Sequence, residues 1–309
     1  MTSAKGAARI TLTDGGMGQE LLHRTGATPT PLWSAQALID HPDVVRGLHL
    51  DFITAGARVI TLNTYAATPE RLAREGVGEM FDTLQDRAMD AAETARDEAG
   101  VSDVAIAGCL PPLFGSYAPA LTIPFDEALG YYRQVVAKET DRVDLFLCET
   151  MASAEEALCA ATAACESGKP VWLSWTLDDK NPATLRSGEA LGEAAGKIAH
   201  LPVAARLVNC SVPEAFDASI ADLVSLGGRV GAYANGFHSI DLLKHGGTVD
   251  VLDHRHDLGP EEYANHAMRW VEAGATIVGG CCEIGPAHIA HLKHRLEAAG
   301  HVIAGAFDA

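Results

Sequence analysis

The stretch that decides the fold is Thr276-Ile277-Val278-Gly279-Gly280-Cys281-Cys282. Its apolar, β-branched run predicts a short buried strand, and the two glycines indicate a sharp exit from that strand. Two adjacent thiols at a strand exit can both reach one soft metal ion. They require at least one further ligand, because zinc prefers four-coordinate sites.

A second strand end supplies the candidate third ligand. The apolar run Arg206-Leu207-Val208-Asn209 ends in Cys210. Two strand ends would then present three thiolates to one point and leave a fourth position open. Two alternatives stay open: free cysteines often only fill core space, and an adjacent pair can form a strained disulfide, which a reducing cytosol disfavours.

Composition narrows the class of protein. The chain has 309 residues, of which 48% are hydrophobic, enough for one barrel or two ordinary domains. The seven cysteines are an odd number without a secreted-domain pattern, so we expect reduced thiols and a cytoplasmic protein. No signal peptide or membrane span is predicted. The net charge of −18 argues against nucleic acid as a partner.

Strand and helix patterns alternate about eight times along the chain. The predicted strands are residues 10–14, 59–63, 104–108, 143–148, 170–175, 205–209, 229–233 and 275–278. Alternation of this kind predicts a parallel sheet, and eight units favour a closed (β/α)8 barrel over a doubly wound open sheet. We therefore predict one α/β domain, a TIM barrel, over residues 1–309.

Several residues with chemical potential fall at the predicted carboxyl ends of strands, where barrel enzymes keep their active sites. They are Asp14, Asn63, Glu149, Cys210, Cys281 and Cys282. The loop 109–124 is rich in proline and glycine and long enough to be a binding loop or a lid. The pattern assigns no role to the second long loop, 234–258.

Together these motifs resemble the homocysteine S-methyltransferase family, which includes betaine– and S-methylmethionine–homocysteine methyltransferases and the homocysteine-binding barrel of methionine synthase. The resemblance runs from about Thr11 to about Leu296. It is carried by Asp14-Gly15-Gly16, Trp33-Ser34 with His41-Pro42, Asn63-Thr64-Tyr65, Glu149-Thr150, Asn209-Cys210 and Gly279-Gly280-Cys281-Cys282. The last two, taken together, are the most specific.

The resemblance implies a zinc-dependent enzyme that transfers a methyl group from an onium donor to the zinc-bound thiolate of homocysteine, giving methionine. It implies Zn²⁺ on Cys210, Cys281 and Cys282, with no catalytic residue beyond the metal centre. The implied substrate-binding residues are Asp14, Gly15, Gly16, Asn63, Tyr65 and Glu149. Homocysteine and a methyl donor are the implied partners. The alternatives are another thiol or selenol acceptor, or a non-catalytic regulatory homologue.

Other residues have simpler interpretations. Without the resemblance, Glu149 is as well explained by the electrostatics of the following helix. His254 and His256 fit a solvated loop better than a metal site. We expect Cys148, Cys159 and Cys165 to fill core space, and Trp172 and Trp175 to lie in the core. Cys109 also lies at a strand exit and could approach the site, but core filling is the favoured interpretation.

Overall fold

The structure is a computed structural model that describes residues 7–243 and 247–308. Residues 244–246 of the 234–258 loop therefore lie outside the described residues, as do both ends of the predicted 1–309 domain. Within the described ranges the strands are β1 Arg9–Leu12, β2 Val59–Thr61, β3 Ala105–Leu110, β4 Leu145–Met151, β5 Val171–Trp175, β6 Val203–Asn209, β7 Arg229–Tyr233, β8 Ile277–Val278 and β9 Val302–Ile303.

Helices follow most strands and pack outside the sheet. They are α1 Met17–Thr25, α2 Ser34–Asp40, α3 Pro42–Ala55, α4 Pro69–Arg74, α5 Phe81–Ala99, α6 Phe125–Glu139, α7 Ala154–Glu166, α8 Leu191–Lys197, α9 Pro213–Ser225, α10 Pro260–Ala273 and α11 Pro286–Ala298. No helix of the described part of the chain is long and apolar enough to cross a membrane.

All strand pairs in the sheet are parallel, in the order β2-β3-β4-β5-β6-β7-β8-β1-β9. The sheet closes on itself, because Arg58 N donates to Leu12 O and Asp14 N donates to Val59 O. Strand β9 pairs with the first residues of β1 and so extends the same edge. The prediction of a (β/α)8 barrel is confirmed, with β9 as an addition.

Side chains alternate between two cores, as the period of a strand requires. On β4, Leu145 and Leu147 face the barrel interior, whereas Phe146 and Cys148 pack against the helices. On β5, Trp172 lies in the interior and Trp175 packs outward, so both are core residues as predicted. Glu149 continues the inward face of β4, beyond Leu147. The fold therefore turns this carboxylate into the mouth of the barrel.

Candidate metal centre and substrate cavity

Three thiols meet at the carboxyl ends of β6 and β8. Cys210 Sγ lies 2.6 Å from Cys281 Sγ and 3.8 Å from Cys282 Sγ. Within residues 7–243 and 247–308, these three form the one group of His, Cys, Asp or Glu side chains close enough to hold a metal ion. Cys210 has a left-handed φ of 54°, which is uncommon for a residue other than glycine.

The donor set suits zinc. Sulfurs about 2.3 Å from one tetrahedral zinc lie roughly 3.8 Å apart. The Cys210–Cys282 distance of 3.8 Å already has this value, and the 2.6 Å Cys210–Cys281 pair would have to separate by about 1 Å. Burial raises the pKa of Cys210, but hydrogen bonds from Cys281, Cys282 and Tyr117 outweigh it and hold that pKa well below its usual range. Cys210 is thus the member of the cluster that carries thiolate charge, whereas the hydrogen bond to Cys210, together with burial, raises the pKa of Cys281 and of Cys282 well above the usual range.

The Asp14-Gly15-Gly16 turn packs directly on the cysteine turn. A Cβ atom at Gly15 would lie 2.0 Å from Ile284 O, and one at Gly16 would lie 2.6 Å from Cys281 O. Close approach of two backbones, rather than an unusual φ, is therefore what requires glycine here. The turn after β1 and the turn after β8 form one continuous floor beneath the cavity.

Two carboxyl groups line the same cavity. Asp14 accepts from Thr61 N at 2.7 Å, and burial raises its pKa to about 8. Glu149 accepts from Tyr233 OH at 3.3 Å, and burial raises its pKa to about 7. Buried carboxylates favour a cationic partner, because an opposite charge offsets the cost of desolvation. An ammonium group is such a partner.

Cys109 approaches the site, which the sequence left open as the less favoured of two interpretations. It is buried, but its Sγ donates to Glu149 Oε1 at 3.2 Å. The alternation of side chains along a strand could have indicated this contact. Ala105, Ala107 and Cys109 share the inward face of β3, which lies beside Leu145 and Leu147 of β4. The other three cysteines, Cys148, Cys159 and Cys165, pack in the outer core as predicted.

Asn209 has a role that the sequence did not reveal. Its Oδ1 accepts from Thr150 N and its Nδ2 donates to Thr150 Oγ1, both at 2.8 Å. Thr150 has φ 62°, which is strained for a β-branched residue. This double hydrogen bond fixes the irregular stretch of β4 between Cys148 and Met151 to the residue that precedes Cys210.

The loop after β3 forms one wall of the cavity. Because β3 continues to Leu110, this loop starts at Pro111, two residues later than predicted. Tyr117 OH lies 3.0 Å from Cys210 Sγ, and Ser116 Oγ lies 2.8 Å from Tyr65 OH. Sequence reasoning missed Tyr117, and only the tertiary fold brings it to the thiols.

The structure brings together every residue proposed from sequence for the site. Asp14, Gly15, Gly16, Asn63, Tyr65, Glu149, Cys210, Cys281 and Cys282 all line one cavity. Asn63 has its Nδ2 committed to Ser34 O at 3.0 Å, so its amide also supports the wall. His254 and His256 are exposed and line a separate, neighbouring cavity with His23 and His288.

Comparisons with known proteins identify the family to which the chain belongs. The family model of homocysteine S-methyltransferase matches residues 11–296. Homocysteine S-methyltransferase of Escherichia coli is 32% identical, over 93% of this chain and 95% of the relative. Selenocysteine methyltransferase of Astragalus bisulcatus is 29% identical, over 91% and 90%.

A solved structure shows the same fold. The crystal structure of the Escherichia coli homocysteine methyltransferase in its metallated form superposes with a TM-score of 0.78 at 29% identity, covering 93% of this chain and 96% of that one. With the family model matching nearly the whole chain, the conclusion is direct. The protein is a methyltransferase that belongs to the homocysteine S-methyltransferase family.

Proposed function

We propose that the protein is a zinc-dependent enzyme that methylates the thiol of homocysteine, giving methionine, with an onium compound as donor. S-methylmethionine and S-adenosylmethionine are the donors we favour. The observation that carries the proposal is the meeting of three thiols and two buried carboxyl groups in one cavity. The family membership and the metallated relative support it.

Each proposed residue has a defined task. Cys210, Cys281 and Cys282 would hold the zinc ion. When bound, zinc would favour loss of the proton from the substrate thiol and hold the sulfur in place. Asp14 and Glu149 would bind the α-ammonium group, while Gly15 and Gly16 let the backbone approach the substrate. Asn63 and Tyr65 would form the wall beside it.

The reaction balances without a further reagent. A sulfur lone pair of homocysteine forms the new S–CH₃ bond as the bond between the methyl carbon and the donor sulfur breaks. The sulfonium donor leaves as a neutral thioether, and the thiol proton goes to solvent. The cavity has to align the two sulfur atoms with the methyl carbon and exclude water.

A selenol acceptor is the second candidate. One relative is named selenocysteine methyltransferase, at 29% identity over most of both chains. The site chemistry would be unchanged, because selenols are soft ligands that lose a proton more readily than thiols. Competition between homocysteine and selenocysteine for a limiting amount of donor would rank the two acceptors.

X-ray absorption at the zinc edge tests the proposal, together with methionine formation from a panel of donors. Homocysteine should add one sulfur to the zinc shell and release a proton near neutral pH. Full methylation by metal-free protein, or a zinc shell that gains no sulfur, would contradict the zinc mechanism. Metal content per chain provides the control for loading.

A further inference from the structure

Cys109 lies directly behind one wall of the cavity that contains the three thiols. Its side chain is 1% exposed and does not line the cavity itself, but its Sγ contacts Oε1 of Glu149, which does. Ala105 and Ala107, which share the inward face of β3, have no polar side-chain atom. Cys109 is therefore the residue of that face that can act on the cavity, and it acts through Glu149.

The thiol of Cys109 is placed to donate a hydrogen bond. Burial raises its pKa well above the usual range, and the charge of Glu149 raises it further. The group therefore keeps its proton at physiological pH, and the 3.2 Å contact joins an S–H donor to a carboxylate oxygen. Thiols are weak donors, but an ammonium group in the cavity would favour the ionised form of Glu149, and an ionised acceptor makes the stronger hydrogen bond.

Both oxygens of Glu149 are held, and the two donors come from different strands. Cys109 on β3 donates to Oε1, and Tyr233 OH at the end of β7 donates to Oε2 at 3.3 Å. One donor on each oxygen fixes the rotation of the carboxylate plane, which a single donor would leave free. An ionised carboxylate has about four acceptor positions, so about two remain for the donors of a substrate.

The position of Cys109 is fixed in turn by a buried acid. Glu139, the last residue of α6, is fully buried, and its Oε1 accepts from Thr64 Oγ1 at 3.0 Å. A Cβ atom at Gly108 would lie 2.5 Å from Glu139 Oε2, so this close approach requires glycine. Burial raises the pKa of Glu139 to about 8, and hydrogen bonds from Thr64 and from the backbone N–H of Cys109 limit the rise. The end of β3 is thus packed on a hydrogen-bonded carboxyl group, which holds the thiol in place.

We infer that Cys109 is a positioning residue, whose thiol holds the Glu149 carboxylate in the orientation that binds the ammonium group of the acceptor amino acid. The inference rests on the proposed function and extends it to a residue outside the cavity lining. Cys109 is not a fourth zinc ligand, since among residues 7–243 and 247–308 the thiols close enough to share one ion are Cys210, Cys281 and Cys282. Its contribution should therefore appear in the affinity for the ammonium group and not in the metal content.

Calorimetry on the zinc-loaded protein tests this inference with two acceptors that differ in one group. Homocysteine has the α-ammonium group, and 4-sulfanylbutanoate has the same thiol and carboxylate without it. Cys109→Ala should weaken homocysteine binding about 5-fold, the effect of one ordinary hydrogen bond, and leave the affinity for 4-sulfanylbutanoate unchanged. Cys109→Ser keeps a donor at this position and should restore most of the affinity. Both variants should hold as much zinc as wild type.

Two comparisons separate positioning from packing. Cys148→Ala removes a buried thiol from the neighbouring strand, next to Glu149 in sequence but on the outward face, and should preserve both affinities. In a Glu149→Ala background, Cys109→Ala should cause no further loss, because a residue that acts through Glu149 then has no carboxylate to hold. A loss that disappears in this background assigns the effect of Cys109 to the Glu149 carboxylate.

The inference would be overturned by wild-type homocysteine affinity in Cys109→Ala, by equal losses for the two acceptors, or by the same loss in Cys148→Ala. A loss that serine leaves unchanged, or one that persists in the Glu149→Ala background, would overturn it as well. Failure of the proposed function looks different, because wild-type protein would then bind neither homocysteine nor 4-sulfanylbutanoate.

Discussion

The two ends of this barrel differ in how their contacts affect stability. At the amino-terminal end, Arg229 on β7 donates to Thr11 Oγ1 at 2.5 Å and to Ala306 O, and its guanidinium lies 5.2 Å from the ring centre of Trp172. Thr11 in turn donates to Gly305 O. The segment that follows β9 thus closes this end through hydrogen bonds and apolar contact.

The carboxyl-terminal end of the barrel contains the features that lower the stability of the fold. Five non-glycine residues of the described chain have a left-handed φ. Four of them, Trp33, Tyr117, Thr150 and Cys210, line the site cavity, and the fifth, Glu283, follows Cys282. The same cavity contains the Asp14 and Glu149 carboxyl groups, whose pKa values burial raises.

The comparison of the two ends shows where in the barrel destabilising features are tolerated. Strained φ values and buried ionisable groups persist only where the surrounding fold over-determines them. Here they are concentrated at the end where barrel enzymes place their chemistry, while the opposite end stabilises the barrel. Changes at the two ends should therefore separate activity from stability.

The largest expected effect comes from Cys210→Ala. Loss of one of three proposed ligands should remove most of the zinc and lower activity by more than about 100-fold, since even outer-shell changes cost about 10–100-fold. The barrel should stay folded, because its cores do not depend on this thiol. Metal content per chain and circular dichroism test this. Cys165→Ala is the control, and full zinc in Cys210→Ala would remove this residue from the ligand set.

Glu149→Ala should weaken homocysteine binding and leave the zinc in place. A charge-assisted hydrogen bond to the ammonium group contributes about 1.5–3 kcal/mol, which corresponds to roughly 10- to 150-fold in Kd. Calorimetry with zinc-loaded protein measures this. Equal affinity in wild type and variant would show that the ammonium group binds elsewhere.

Arg229→Ala should do the opposite and act on stability alone. It removes the bonds to Thr11 and Ala306 and the stacking on Trp172, which together contribute on the order of 1–3 kcal/mol. Denaturant unfolding should show the loss, while Kd for homocysteine stays constant. Arg206→Ala on the neighbouring strand is the control. A changed Kd in Arg229→Ala would mean that the two ends are coupled.

Glu149→Gln should stabilise the metal-free protein, with a definite pH dependence. Burial raises the pKa of Glu149 from 4.5 to about 7. Below about pH 4.5, Glu149 is therefore neutral in both the folded and the unfolded protein, and its contribution to the free energy of unfolding is fully present. This contribution is lost as the pH rises through 7. Because glutamine stays neutral, the variant should be more stable than wild type by about 1–3 kcal/mol at pH 8, with no gain near pH 4.5. Thermal unfolding across pH 4.5–8 measures the difference, and a pH-independent difference would argue against a raised pKa.

Most of the fold could be predicted from the alternation of patterns along the chain. Each of the eight predicted strands corresponds to one of β1–β8. The short helices α1, α2 and α4 and the two-residue β9 were not predicted. Helix α1 starts in a glycine-rich segment of low helix propensity, and β9 is too short to show a period.

The site was predictable where chemistry follows strand ends and not where it depends on tertiary contact. Cys210 directly follows β6, Asp14 and the other two cysteines come within four residues after β1 and β8, and Glu149 lies near the end of β4, so residue type and position indicated all five. The pairing of Asn209 with Thr150 and the approach of Tyr117 to Cys210 join residues 59 and 93 positions apart. No local pattern encodes such contacts.

The smallest expected effect is in the loop 111–124. Tyr117 OH contacts Cys210 Sγ, so homocysteine sulfur entering the cluster should compete with this phenol and shift the loop. Arg71 should limit the movement, because it ties Pro112 and Leu113 to α4. We therefore expect hydrogen exchange to change on homocysteine binding mainly between Ser116 and Leu121, by a few-fold. Strand β5 is the internal reference and should be unaffected. Tyr117→Phe, which lacks the hydroxyl, should show a smaller change, and identical exchange in this segment with and without homocysteine would argue against a mobile lid.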